Sequence, residues 1–404
     1  MQITGSTLAS APRDQPFQAG WAKVAFDIPI GTPLAGYAYR EGAPSEGFRQ
    51  SLYARSFVLR TAQTQVAIIC TDLLIVPPEV AEIVRDILRP LDITPLFTAS
   101  HTHGGPGAWD DSFVGELMAG EYDKTIVNRL AQACIASTKL AIDDLAPAEF
   151  SWIELAEPDW LYNRTVEGGT TDPALEALLL RRRDEIGIIS MYGAHPTCYS
   201  HQTMHFHGDY PGVIIDELEH AAPISLAAFA AGAVGSQNVK EDGKTGQLQA
   251  ESIGMYLGRK LLLQMDTLDW KSDITLAAEN APFHVTGMQL RVSNRLRTSP
   301  TVLRSIHPGR SSLTALRIDD HLWLGVPFEL SSMLSQPLRK ATADSGWRLH
   351  ITCFSGDYLG YVIPDHLYPD HNIYEAQMNF MGPHGGSYSS ALMQAVIQSA
   401  SSNF

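Results

Sequence analysis

The segment Val66-Ala67-Ile68-Ile69-Cys70 is an unbroken apolar run, and the stretch PPEVAEIVRDIL that follows carries Val80, Ile83, Val84, Ile87 and Leu88 at helical spacing. A run without polar alternation suits a strand covered on both faces, and the stripe after it suits a helix packed back onto that strand. Pro77 and Pro78 open the helix, where a missing N–H costs little. The pattern returns along the chain. PLFTAS precedes His101, after which Ile126, Val127, Leu130, Ala131, Cys134 and Ile135 form one helical stripe. IGIISMYGA is followed by YPGVIIDELEH, and ISLAAFAAGAV by ESIGMYLGRKLLLQ. Such alternation predicts an α/β layered fold. From about Asp269 strands dominate: LTALRI, the pair Asp319-Asp320 and HLWLGV read as a hairpin, with a helical stretch SSMLSQPLRKAT after it. The core sheet is therefore predicted to be mixed and flanked by helices. With no linker and no fixed-period repeat, residues 1–404 are expected to form one domain.

Charge narrows the partners. Against 29 Lys and Arg stand 44 Asp and Glu, a net charge of −15, which repels nucleic acid and anionic membrane surfaces alike. The N-terminal segment MQITGSTLASAPRDQPFQAGW has neither a basic start nor an apolar core, and no apolar run is long enough to cross a bilayer. The expectation is a cytoplasmic protein with a small-molecule substrate, no nucleic-acid partner and no membrane anchor; a homo-oligomer is compatible with it. Cys70, Cys134, Cys198 and Cys353 lie far apart in apolar stretches, as reduced structural cysteines would.

The reactive residues fall just past predicted strands. His101 follows PLFTAS, His195 follows IGIISMYGA, Ser236 follows SLAAFAAGAVG, Glu329 follows LWLGVPF, and Tyr361 comes shortly after HITCF. In α/β sheets, ligands bind outside the carboxyl ends of strands, so these positions are predicted to converge on one crevice. In FTASHTHGGPG, His101 and His103 are two apart and face the same way in extended chain. Gly104, Gly105 and Gly107 let backbone come close to a ligand with free N–H groups. The second cluster, GAHPTCYSHQTMHFHGDY, offers His195, His201, His205 and His207; spacing alone favours His205 with His207 as a metal pair, and periodicity does not decide among them.

ASHTHGGPG, GAHPT, GVPFE and GDYLGYV, in that order, resemble the zinc-binding motifs of the neutral (non-lysosomal) ceramidases, amidases that hydrolyse the N-acyl bond of ceramide. GYAYREGAPSEGFRQSLYARSFVLR resembles that family's opening, NRT its substrate-contact arginine motif, and YEAQMNFMGPHGG its closing segment, so the likeness spans nearly the whole chain. The resemblance implies a ceramidase-like catalytic domain in which His101, His195, Glu329 and Tyr361 hold Zn2+. It also implies that His103 and Tyr374 act on the reacting amide, that Arg164 faces substrate, and that Ser236 is the serine of an essential motif; Gly104 and Gly105 stay expected substrate contacts on the loop reading alone. His205 and His207 match nothing catalytic. The chain departs from the family in three places. AGAVGSQN surrounds Ser236 in place of an acidic residue before and a proline after, one extra residue separates Tyr361 from Tyr374, and the sequence ends soon after GPHGG where ceramidases continue into a β-sandwich.

The expectation is therefore a zinc-dependent hydrolase of a C–N amide bond in a small soluble N-acyl compound, with attack by zinc-bound water. Three alternatives stand beside it: an ester or lactone hydrolase using the same site, a true ceramidase releasing fatty acid and sphingosine, and a non-catalytic binding protein of the same fold.

Overall fold

A computed structural model describes residues 16–291, 293, 296–299, 301 and 309–402. Three mixed sheets make the core, and each contains one parallel pair. In the first, Ile93–Ala99 pairs parallel with Gln65–Thr71, which continues antiparallel through Tyr53–Arg60 and Gln18–Ala25 to Ala146–Pro147. In the second, Ile224–Ala231 lies parallel to Glu185–Tyr192, with Ala174–Arg182 and Glu149–Ala156 antiparallel beyond. In the third, His321–Gly325 lies parallel to Arg348–Thr352 and antiparallel to Arg310–Ile318, with Leu276–His284 at the far edge. Parallel neighbours end on the same side of a sheet, so each pair delivers two carboxyl ends to one place.

The sheets share an apolar seam. Phe57, Ile68 and Leu96 from the first, Leu178, Ile189 and Leu226 from the second, and Leu316 and Trp323 from the third belong to one buried cluster. Helices cover the outer faces. Lys124–Asp143 packs on the first sheet, Asp209–Glu219 on the second, and Ser332–Asp344 and Gly385–Ser402 on the third. The helices at Pro78–Leu88, Lys124–Asp143, Asp209–Glu219, Gln247–Leu262 and Ser332–Asp344 lie where sequence periodicity predicts them. So does the hairpin Arg310–Ile318 with His321–Gly325. The strand Tyr53–Arg60, which the apolar pattern does not mark, has a charged residue inside it: Arg55 is buried against Asp72. All four cysteines are buried and free of disulfides. Among the described residues no helix is long and apolar enough to cross a membrane.

One polar knot ties the three parallel pairs together at their carboxyl ends. The fully buried Thr352 hydroxyl donates to the Ala231 carbonyl at 3.0 Å, and Cys353 N–H donates to the same oxygen at 2.9 Å. Having spent its only proton there, Thr352 Oγ1 accepts from Thr98 Oγ1 at 2.5 Å. Thr98, Ala231 and Thr352 belong to the first, second and third sheets respectively. Thr352→Val keeps the shape, removes the hydroxyl and strands Thr98 Oγ1. A loss of about 1–3 kcal/mol in urea unfolding is expected, and unchanged stability would show that the knot does not hold the sheets in register.

Candidate active site

In each parallel pair one strand supplies a side chain to the common crevice, and its neighbour supplies the group that holds it. His101 follows Ile93–Ala99, and its Nδ1 lies 2.7 Å from the carbonyl of Leu74, just past Gln65–Thr71. His195 follows Glu185–Tyr192, and its Nδ1 faces the carbonyl of Val234, past Ile224–Ala231, at 3.4 Å. Glu329 follows His321–Gly325, and Tyr358, past Arg348–Thr352, donates its hydroxyl to Glu329 Oε1 at 2.7 Å. The first turn is sharp. His101 has φ 63°, and Phe354, with φ 65°, stacks on its ring at 4.3 Å between centroids. Two bulky residues in left-handed backbone cost energy, which packing on each other and the Leu74 bond offset.

These partners decide where the imidazole protons sit. Carbonyls only accept, so each ring donates from Nδ1 and turns its Nε2 toward the other ring. The two Nε2 atoms lie 2.9 Å apart. Burial, reinforced by the positive charge of Arg164, holds the His195 pKa well below its usual value, so the ring stays neutral. Glu329 Oε2, buried without a well-formed hydrogen bond, lies 3.6 Å from His101 Nε2 and 3.8 Å from His195 Nδ1. Burial pushes the Glu329 pKa up, but His101, Tyr361 and Arg164 outweigh it and keep it below the usual carboxylate range. Two imidazole nitrogens and a carboxylate oxygen, all in the interior, are a donor set that could hold a cation.

Tyr361, next to Glu329 in the short parallel pairing of Glu329–Leu330 with Tyr361–Val362, is buried. Burial and the Glu329 charge raise its pKa far above that of a free phenol, with Arg164 acting in the opposite direction. Arg164 Nη2 donates to the Tyr361 oxygen at 3.1 Å, and Arg164 Nε donates to Glu375 Oε1 at 2.7 Å. His103 lies beside the pair, its ring centroid 5.1 Å from that of His101, and neither ring nitrogen makes a well-formed hydrogen bond. Burial, then His101, Arg40 and Arg164, keep it neutral. Gly36, at φ 107°, lies against that ring: a Cβ there would come within 2.6 Å of His103 Nδ1. Buried Arg40 pins the loop by donating to the carbonyl of His201 at 3.1 Å and to that of Thr203 at 3.0 Å, and it also binds the His103 carbonyl. Half-exposed Tyr374 stands edge-on to Tyr361 at 5.7 Å.

His101, His103, Arg164, His195, Glu329, Tyr358, Tyr361 and Tyr374 border a cavity of about 1100 Å3. Leu74, Trp109, Met118, Met288, Leu290 and Phe380 contribute apolar wall. The structure brings together His101, His103, Arg164, His195, Glu329, Tyr361 and Tyr374, which span most of the sequence. Ser236 is not among the cavity residues. Its hydroxyl is fully buried, accepts from Ser332 N at 2.9 Å and meets Ser332 Oγ at 2.7 Å, while its carbonyl accepts from Arg164 N at 2.9 Å. Gly104 and Gly105 are also absent from the lining: a Cβ at Gly104 would strike the His207 ring, and one at Gly105 would meet the Asp72 carbonyl. These glycines allow packing between loops and do not open the backbone to the cavity. His207 stacks on Tyr199, His205 faces Glu46, His201 packs near Tyr37 and Tyr39, and none of the three borders the cavity. Sequence reading misses Arg40, Tyr358 and Glu375, although Arg40 and Tyr358 lie inside the quoted motifs and Glu375 follows Tyr374 directly.

Among the described residues, two groups of three side chains are close enough to hold a metal ion. One is His101, His103 and His195. The other, Glu154 with His321 and His350, has its partners already: Arg348 binds Glu154 at 2.9 Å, Glu176 and His321 each bind His350 at 2.9 Å, and Trp152 stacks on both rings. Residues 27–240 match the N-terminal domain of the neutral/alkaline non-lysosomal ceramidases. The chain belongs to that ceramidase family. The matched region contains His101, His103, Arg164 and His195; Glu329, Tyr361 and Tyr374 lie beyond it. The ceramidase-family fold extends further. Neutral ceramidase from Pseudomonas aeruginosa superposes with a TM-score of 0.79 at 18% identity, covering 94% of this chain and 73% of that one. A ceramidase complexed with C2 superposes at 0.80 with 17% identity, over 94% and 74%. At such identities the likeness concerns the fold. No curated protein sequence matches the chain.

Because Ser236 binds the backbone and Ser332 at the start of Ser332–Asp344, Ser236→Ala is expected to cost about 1–3 kcal/mol of stability. Turnover per folded molecule should change little. A drop of several orders of magnitude in kcat, with folding intact, would give Ser236 a chemical role instead.

Proposed function

We propose that the chain is a zinc-dependent amidase that cleaves the C–N bond of an N-acyl compound, with His101, His195, Glu329 and Tyr361 holding the ion. The observation that carries this reading is the pair of Nε2 atoms 2.9 Å apart beside a Glu329 Oε2 that is buried without a well-formed hydrogen bond. Imidazole nitrogens, a carboxylate and a phenol oxygen form a mixed N/O donor set suited to zinc. Leu74, Val234 and Tyr358 are the outer partners that orient such ligands. When bound, zinc makes water nucleophilic near neutral pH and polarises a carbonyl.

The chain's own groups support the remaining steps. His103 is neutral and has no well-formed hydrogen bond at either ring nitrogen, so it can accept a proton from the attacking water and return it to the departing amine. Tyr374, its pKa pushed up to about 12 by burial and by Glu329, keeps its hydroxyl proton and can donate to the developing oxyanion. Arg164 is engaged with Glu375 and Tyr361, which favours a role inside the protein over pairing with a substrate carboxylate. The volume and apolar walls of the cavity favour an N-acyl amide with a long apolar arm over the compact soluble compound suggested by net charge.

Matched amide and ester substrates with short and long acyl chains test the reaction and its scope together. Faster cleavage of long-chain amides is expected; preferential ester cleavage, or no turnover by protein with its metal in place, would overturn the reading. Zinc is expected at about one ion per chain, and His101→Ala or His195→Ala should remove it. Full zinc content in both variants would refute the ligand assignment. Tyr374→Phe and His103→Ala should keep the metal and lower kcat by about 100-fold to 1,000-fold; a change in KM alone would make them binding residues.

A further inference from the structure

Among the described residues the buried Glu375 carboxylate has one cationic partner, Arg164, and Arg164 in turn has the Tyr361 oxygen. An arginine side chain is long and flexible, yet this one is held at three points. Its backbone N–H is bound to the Ser236 carbonyl at 2.9 Å, its Nε to Glu375 at 2.7 Å, and its Nη2 to Tyr361 at 3.1 Å. A guanidinium is planar, so fixing Nε fixes the plane and the direction in which Nη2 points. It can only donate, so at Tyr361 it occupies one lone pair of the phenol oxygen and leaves the other direction toward Glu329. Glu375 also sits in the short helix Tyr374–Gln377, directly after Tyr374. The same carboxylate therefore anchors the backbone that presents Tyr374 at the cavity.

We infer that Glu375 is a positioning residue which, through Arg164, aims the Tyr361 oxygen at the metal position and secures Tyr374 beside it. This rests on the zinc reading above. It is not a catalytic residue, since it borders neither the cavity nor the imidazole pair. A carboxylate that served only to neutralise a buried arginine would leave the phenol geometry indifferent to its length and shape. A clamp depends on both.

The test uses the full chain stripped of metal and reloaded with zinc or copper(II). Zinc affinity is read by competition with a chelator, and tyrosinate ligation by the charge-transfer absorption of the copper form, with Tyr361→Phe as the blank. Glu375→Gln is expected to weaken zinc binding about 10-fold to 100-fold, the usual effect of losing an outer partner, and to diminish the charge-transfer band. Glu375→Asp should restore part of both, and Arg164→Lys, which keeps the charge but not the fork, should reproduce the loss. If Glu375→Gln does not fold, judged by circular dichroism, the other two variants decide the matter. Wild-type affinity and band in Glu375→Gln or in Arg164→Lys would overturn the clamp and leave the metal site intact. A wild-type protein that binds zinc but shows no tyrosinate band would overturn the clamp by removing Tyr361 from the ligands. A wild-type protein that binds no zinc would overturn the functional reading itself, and the clamp with it.

Discussion

The hydroxyl of Thr352 is the point on which the arrangement turns. With one proton and two lone pairs it joins Thr98 of one sheet to the Ala231 carbonyl of another, while itself belonging to a third. Sheets packed face to face through apolar side chains slide easily, because apolar contact has no direction. A hydrogen bond has direction, and between fully buried groups its loss is expensive. Placed at the carboxyl ends of the parallel pairs, this knot sets the height at which each strand stops, and so the height at which His101, His195 and Glu329 emerge.

The site follows from that registration. Each parallel pair contributes a reactive side chain from one strand and its restraint from the other: the Leu74 carbonyl for His101, the Val234 carbonyl for His195, the Tyr358 hydroxyl for Glu329. Two of the restraints are carbonyls, which make Nδ1 the donor and turn the Nε2 atoms toward each other. The result is a concentration of electron-pair donors in a buried place, unfavourable alone and favourable around a cation. Glycine has a related part at Gly36, where the absence of a Cβ lets the His103 ring lie against the backbone.

Much of the architecture was legible because buried strands and amphipathic helices leave simple patterns. Val66–Cys70 and the stripe from Val80 to Leu88 announce a strand and a helix without reference to anything distant. The antiparallel strands that complete the sheets were less visible: Tyr53–Arg60 buries Arg55 and Ser56, whose partners Asp72, Ser137 and Thr138 are remote in sequence. The glycines after His103 carried the opposite ambiguity. Their number suggested an open backbone facing a ligand, whereas Gly104 and Gly107 lie against the His207 ring and the Ala119 backbone.

By itself, the sequence determined which residues stand at strand ends, since apolar run, polar residue and turn are adjacent along the chain and local geometry follows from adjacency. It therefore pointed to His101, His195, Ser236, Glu329 and Tyr361, by two-residue spacing to His103, and through family motifs to Arg164 and Tyr374. Only the tertiary structure decided which of these meet and what each faces. Ser236 stands at a strand end as His195 does, yet its hydroxyl turns to Ser332 and away from the cavity. Arg164, which looks like a cation awaiting a substrate, is already bound by Glu375, more than two hundred residues away. The reason is that a buried polar group must find a partner inside the fold, and the identity of that partner depends on how separate segments pack, which no local pattern encodes.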